Sequence, residues 1–262
     1  MNYLREMQPE DIRPVFEVIE SQDEDDAEEA LAGYQEIGGT IDNFVMEVND
    51  RVIGVTGYVT PPACEQTHWL AWTYIHDDYA NQGNGRLMLT DLIQHLKDKG
   101  GRMLFVKVSD YVDDEDGAIY AAALHLYKSL GFEEQLVHNN YYDNGESQTI
   151  LALRLKDRDE NAEVAEDENC PVQFNAVFEI AETDGAYSFG WHDEGDSAFD
   201  NKDVTIGIQQ AREDNARAIF LSFPQNYSKV GKTLIASGFK HSGTLTDYFE
   251  DGVHEDHFTY EL

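Results

Sequence analysis

Two cysteines, Cys64 and Cys170, are all that 262 residues hold, too few for a disulfide framework or a thiolate metal site. Long apolar runs are also missing. Nothing approaches the ~20 apolar residues that a membrane-spanning helix needs. The start, MNYLREMQPEDIRP, is charged where a secretory signal is apolar. Cations are scarce: 18 Lys and Arg stand against 52 Asp and Glu, a formal net charge of −34. A surface of that sign repels phosphate backbones and anionic lipid, so neither nucleic acid nor a membrane is an expected partner. It draws in cations, amines among them, although an acidic coat also serves solubility in a salty cytoplasm. These absences point to a cytoplasmic protein. What the chain has in quantity is core material: 41% apolar residues and 11% aromatic ones suffice for one large domain or two modest ones.

Apolar spacing alternates between the strand and helix periods. LREMQPEDIRPVFEVIES reads as a short strand and then a helix, with Asp11 as N-cap and Pro14 in the first turn. DEDDAEEALAGYQEIGG reads as an acidic second helix ended by glycines. NFVMEVNDRVIGVTGYV holds two apolar runs around Asn49-Asp50, a hairpin signal, and THWLAWTYI is rich in strand formers. Leu89, Leu92, Ile93 and Leu96 fall at i, i+3, i+4 and i+7, with Gly100 as the stop. RMLFVKV reads as a buried strand. Ile119, Ala122, Ala123, Leu126 and Leu130 then predict a helix ended by Gly131, and strands follow around LVHNNYY and QTILALRL. The order β-α-α-β-β-β-α-β-α-β-β predicts an α/β fold, a mixed sheet with helices on both faces. Residues 156–170, KDRDENAEVAEDENC, are acidic without periodicity and read as a linker or solvated helix. They divide a domain over 1–155 from a smaller one over 171–262.

The smaller part echoes the larger. GFEEQLVHNNYYDNGESQTILALRL at 131–155 aligns without a gap to GFKHSGTLTDYFEDGVHEDHFTYEL at 238–262, an offset of 107 from Gly131 to Gly238 and from Leu155 to Leu262. LTDLIQHLKDKGGRMLF at 89–105 matches VTIGIQQAREDNARAIF at 204–220 with an offset of 115. The later copy thus lacks eight residues in its strand-to-helix loop. NFVMEV and NAVFEI look like a further pair. Matched order and register favour a duplicated fold.

Chemistry concentrates in YIHDDYANQGNGRLML. A strand ends, a glycine-rich turn follows, and a helix begins near Gly85. Gly83 and Gly85 allow backbone conformations closed to other residues, so several N–H groups point at one anion. The helix N-terminus adds unpaired amides and a partial positive charge. Together they make a pyrophosphate seat even in an acidic protein, and Arg86 offers a full charge.

This run resembles the acetyl-CoA-binding motif of the GNAT superfamily of acyl-CoA N-acyltransferases, Arg/Gln-x-x-Gly-x-Gly/Ala. Its positions fall on Ala80, Asn81, Gln82, Gly83, Asn84 and Gly85. Ala80 departs from the Arg or Gln of the pattern, and Asp77 replaces a common proline. ALHLYKSLGF, Ala123 to Phe132, resembles the superfamily's C-terminal helix motif, in which a tyrosine precedes Gly-Phe. The resemblance covers residues 1–155. It implies that the amides of Asn81, Gln82, Gly83, Asn84, Gly85 and Arg86 hold the CoA phosphates, and that an amide near Tyr74 or Ile75 polarises the thioester carbonyl. It gives Tyr127 the role of protonating the departing thiolate, which suits a phenol of pKa ~10. It implies an N-acetyltransferase that moves acetyl directly from acetyl-CoA, as co-substrate and without a metal, to a primary amine.

No general base declares itself. Asp110 at the end of its strand, and His68 or Glu65 near the start of theirs, are candidates; His76 reads as structural. Asp23–Asp26 with Glu28 and Glu29, and the Asp113–Asp116 run, are acid clusters bordering the acceptor entrance if the resemblance holds, and favour a cationic small molecule or peptide. In the second copy Leu234 stands where Tyr127 does, and no glycine-rich turn precedes VTIGIQQAREDNARAIF. It reads as a degenerate GNAT-like half-domain that covers the first or forms a homodimer interface. A non-catalytic acyl-CoA-binding or regulatory module is the rival reading. HEDH at 254–257 places two histidines on opposite strand faces, expected to be at the surface, and Ser197 lacks the flanking glycines of a nucleophile elbow.

Overall fold

A computed structural model describes residues 3–113, 117–159, 161–162, 164, 172–192 and 200–262. Asp114–Asp116, Ser197 and most of the acidic segment up to Cys170 lie outside the described residues. Strand β1 (Tyr3–Glu6) leads into a 3-10 turn and helices α1 (Ile12–Glu20) and α2 (Glu24–Gln35). There follow β2 (Asn43–Val48), β3 (Arg51–Val59), β4 (Thr67–Leu70), β5 (Tyr74–Ile75), α3 (Asn84–Asp98), β6 (Met103–Ser109), α4 (Ala121–Ser129), β7 (Glu133–Asp143) and β8 (Glu146–Arg154). The strands form a mixed sheet in the order β1-β2-β3-β4-β6-β8-β7, with β5 paired to β3. This is the α/β class that the sequence predicts.

Local chemistry accounts for these elements. Asn49 and Asp50 both take positive φ, 51° and 63°, which the tight turn joining β2 and β3 requires. Asp23 caps α2, its Oδ1 accepting the Asp26 N–H at 2.9 Å. In α3 the residues Met88, Leu89, Leu92 and Leu96 are buried, each contributing ~1.5–3 kcal/mol. Gly100 follows at φ 82°. Helices α1 and α2 pack on Val45 and Val55, whereas Met88 of α3 packs on Met46 and Ile53. Adjacent residues on one strand face opposite sides, so the helices cover both faces of the sheet.

Two expectations fail here. Asp11 does not cap α1 with its side chain; the residue is 5% exposed, its carboxylate bound by Arg5 at 2.6 and 2.9 Å and by the Gln8 N–H at 2.8 Å. That guanidinium, itself also paired with Glu47, holds the Asp11 carboxyl below the usual range. The stripe read into α4 is also displaced. Ile119 is 44% exposed and Ala122 is exposed, while Tyr127 is buried.

The remaining elements are β9 (Gln173–Glu179), β10 (Ala186–His192), α5 (Asn201–Glu213), β11 (Ala218–Pro224), α6 (Ser228–Ala236), β12 (Lys240–Glu250) and β13 (Val253–Glu261). Their sheet runs β12-β13-β11-β10-β9, the order of β7-β8-β6-β4-β3 in the first. Strand β9, which carries NAVFEI, therefore stands in the place of β3; the likeness of that segment to NFVMEV of β2 is not matched by position. By contacts the chain groups into two compact units, residues 1–106 with 129–131 and 153–157, and residues 107–128 with 132–152 and 158–262. Within the second unit β7 packs on β12: Leu136 lies against Gly243, and Gln135 Oε1 accepts the Thr246 N–H at 3.4 Å. His257 is not a surface residue. Its side chain is 12% exposed, with Nδ1 3.0 Å from His138 Nε2 and Nε2 2.9 Å from Glu255. Among the described residues no helix is long and apolar enough to cross a membrane.

Candidate active site

The first feature is a parallel strand pair that stops pairing. β4 and β6 match only at Thr67↔Met103, His68↔Leu104 and Trp69↔Phe105. On its other edge the chain stays with β3, from Tyr58↔Leu70 to Val55↔Tyr74 and Gly54↔Ile75. Four steps on one strand there match three on the other, so residues 71–73 form a bulge. Thr73 Oγ1 closes it, donating to Ala71 O at 2.8 Å and lying 3.0 Å from Thr56 Oγ1. The His76 N–H donates to Ile53 O on β3 at 2.9 Å. Successive amides of an extended chain alternate sides, so the Ile75 N–H turns away from β3, to the side on which β6 has ceased to pair.

The second feature follows at once. After a 3-10 turn over Asp77–Tyr79, Asn81 takes φ 57° and Gly83 φ 85°, and α3 begins. A Cβ on Gly83 would touch nothing within 4 Å; the backbone angle, not space, is what requires glycine. Gln82 Nε2 donates to Asp78 O at 2.8 Å and Asn84 Nδ2 to Tyr79 O at 2.9 Å. These two side chains therefore close the loop. The first intrahelical bond runs from the Leu87 N–H to Gly83 O at 3.1 Å. The amides of Gly83, Gly85 and Arg86 precede the first intrahelical bond, and the positive end of the α3 dipole lies with them. An anion of pyrophosphate size finds there the donors it needs. The Arg86 guanidinium donates to Ser129 Oγ. Arg51, absent from the sequence reading, lies 5.5 Å over the Tyr79 ring and 3.5 Å from His76 Nε2, beside the loop.

Tyr127 is 7% exposed on α4, its ring centroid 5.6 Å from that of Phe132. Burial pushes its phenol up to about 12, so it holds its proton firmly. Asp110 is exposed and tied to the start of β8: its N–H donates to Ser147 O at 3.1 Å, and its Oδ1 accepts the Ser147 N–H at 2.5 Å. His68 is 6% exposed, with Nδ1 2.8 Å from Thr60 Oγ1, and burial lowers its pKa. Glu65 is exposed. His76 accepts the Asp78 N–H at 3.2 Å, a loop-holding role.

Sequence reasoning missed the links from α1 and α2 to this strand. Gln22 Nε2 donates to Ile75 O at 3.1 Å and to Asp77 Oδ1 at 2.5 Å, and the Asp77 N–H donates to Ser21 Oγ at 3.2 Å. The Tyr74 hydroxyl donates to Asp26. Burial raises the Asp26 carboxyl, and that hydrogen bond opposes the shift. In the sequence Asp26 is one acid among many; only its half-buried place beside Tyr74 singles it out.

Residues 5–132 match the sequence profile of the Acetyltransferase (GNAT) family. Over 84 residues the chain is 39% identical to the ribosomal protein bS18-alanine N-acetyltransferase of Escherichia coli strain K12, covering 31% of this chain and 51% of that enzyme. The Salmonella typhimurium strain LT2 enzyme of that name is 35% identical over the same length. The chain thus spans about half the length of the curated relatives it matches. The crystal structure of a protein assigned to the GNAT family from Desulfovibrio desulfuricans superposes with a TM-score of 0.52 at 24% identity, covering 60% of this chain and 100% of that one. That likeness shows the fold.

Proposed function

We propose that this protein, whose residues 5–132 match the acetyltransferase (GNAT) family, moves an acetyl group from acetyl-CoA to a primary amine. The observation that carries the reading is left-handed Gly83 and the amides of Gly83, Gly85 and Arg86 at the head of α3, directly after strands that part. The residues present fit acetyl-CoA: left-handed Gly83 and the dipole of α3 suit its pyrophosphate, and Ala80 removes one side-chain contact without touching those amides. When bound, acetyl-CoA supplies an activated acyl group and a thiol leaving group. The Ile75 N–H serves to polarise a carbonyl from the side where β6 no longer pairs. Tyr127, kept protonated by burial, serves as the acid that delivers a proton to a departing thiolate. Asp110 is the candidate to accept the amine's proton, its Oδ2 left for that task by the bond that Oδ1 takes from Ser147.

The E. coli relative is named for an alanine of a ribosomal protein, so peptides with N-terminal alanine belong among the acceptors to try. The net charge of −34 favours cationic acceptors over neutral ones. Residues 171–262 are a partial copy of the same fold in this reading, residues 156–170 the join, and the cysteine count supports a cytoplasmic setting. Calorimetric titration with acetyl-CoA, followed by thiol release over a panel of amines, tests the proposal. Saturable binding with release on one amine class supports it. Binding without release on any amine supports instead a non-catalytic acyl-CoA-binding module, the reading that Ala80 favours. Folded protein that binds no acetyl-CoA refutes both.

A further inference from the structure

Residues between 223 and 258 line a cleft of about 580 Å³ that has no part in the acetyl-transfer reading. Its size falls in the ~300–1,000 Å³ range of small-molecule sites. The floor is Phe223 and Phe258, 2% and 3% exposed. Helix α6 forms one wall. It buries Val230 and Leu234 in the core and turns Gly231, Lys232 and Ile235 toward the cleft. A Cβ on Gly231 would lie 3.3 Å from Phe258 Cζ, so glycine lets the helix ride close over that ring. Ile235 remains 49% exposed, apolar surface with no protein against it.

Two opposite charges, Lys232 and Asp256, line this cleft without pairing with each other. Lys99, Lys107, Lys128 and Lys240 each form an ion pair with a carboxylate, whereas Lys97, Lys156, Lys202 and Lys229 form none among the described residues; of the lysines, only Lys232 lines the cleft. Lys232 also forms none among the described residues. Asp256 accepts from His241 Nε2 at 3.1 Å and from Thr244 Oγ1 at 2.6 Å, both on Oδ1, which leaves Oδ2 for another donor. The cleft thus presents a cation, an anion and an aromatic floor. A simple anion or a simple amine answers one of the charges; a hydrocarbon answers neither.

We propose that this cleft binds a free apolar or aromatic α-amino acid as its zwitterion. The carboxylate meets Lys232, the ammonium meets Asp256, and the side chain lies on Phe223 and Phe258. The site lies outside residues 5–132, so it stands or falls apart from acetyl transfer.

The test is calorimetric titration of the full chain with L-phenylalanine, 3-phenylpropionate and phenethylamine, which keep both charges, the carboxylate alone and the ammonium alone. Saturable binding of L-phenylalanine is expected, with each analogue at least ~10-fold weaker because one charged group of the cleft is left unanswered. Lys232→Met, at an exposed position that leaves folding intact, is expected to weaken L-phenylalanine to the level of phenethylamine. Ala236→Trp at the rim is expected to block all three ligands. No saturation with L-phenylalanine by about 10 mM, a bound set by the affinity worth calling a site, overturns the proposal. So does an analogue that binds as well as the amino acid, or an unchanged affinity in Lys232→Met.

Discussion

The strand pairs β4–β6 and β10–β11 begin alike and end differently. Each is parallel and each pairs at its start only, Thr67↔Met103 through Trp69↔Phe105 in one, Ala186↔Ala218 and Tyr187↔Ile219 in the other. Under the 115-residue offset Met103 and Leu104 correspond to Ala218 and Ile219, so the two ladders start in one register. Beyond them the first pair leads to left-handed Gly83 and the N-terminus of α3. In the second, Trp191 and Phe223 meet across the opening with ring centroids 4.7 Å apart, and Tyr227 lies 6.5 Å from Trp191. Trp72 stands at the register of Trp191 but packs with the α1–α2 core. Leu234, fully buried, holds the position of Tyr127. The fork of the second pair is thus filled by aromatic side chains.

The contrast can be broken at its sharpest point first. Tyr127→Phe is expected to lower turnover ~10²-fold or more, as loss of a general acid does, while acetyl-CoA binding measured by calorimetry stays within a factor of about two. Equal turnover would strip Tyr127 of its role. Trp191→Ala, in the filled fork, is expected to cost ~2–4 kcal/mol of stability in denaturant melts, with acetyl-CoA still binding once per chain. A second equivalent bound by the variant would show that the aromatic fill alone had closed that fork.

A third prediction concerns pH. Burial and the neighbouring His257 push His138 down to about 3, so it is neutral in the folded protein and titrates near its ordinary value when unfolded. Its contribution is present above ~6.5 and is lost as pH falls toward 3, at up to ~1.4 kcal/mol per pH unit. His138→Leu should flatten that slope in melts between pH 7 and pH 4; an unchanged slope would place the sensitivity elsewhere. The smallest effect is expected from Ala80→Arg, which restores the pattern's cation and should tighten acetyl-CoA by ~2- to 5-fold at low salt. Titration at two salt concentrations checks it.

Much of this was legible in the sequence because the signals were local. Asn49-Asp50 announces its own turn, the Leu89–Leu96 stripe its own buried face, and Gly83 its own backbone angle. What failed to show was decided by distant partners. Asp11 has the position of a cap, yet an arginine six residues earlier takes its carboxylate. His257 alternates like a surface residue until His138, 119 positions away, is placed beside it. The stripe through Ile119 ignored which side of α4 the sheet would cover. The motif marked the Gly83 loop, but nothing in the spacing tells Asp26 from its five acidic neighbours.

Leu136 and Gly243 are matched by the 107-residue offset, and they touch. A position that meets its own counterpart lies near a local two-fold axis. Two separate identical chains joined about such an axis must present the same side chain from both sides, leucine against leucine or glycine against glycine. Here a Cβ on Gly243 would come within 2.6 Å of Leu136 Cδ1, so the fit depends on the two sides differing. Two positions of one chain are free to differ, so β7 meets β12 large against small, a fit that an assembly of identical chains about such an axis cannot make.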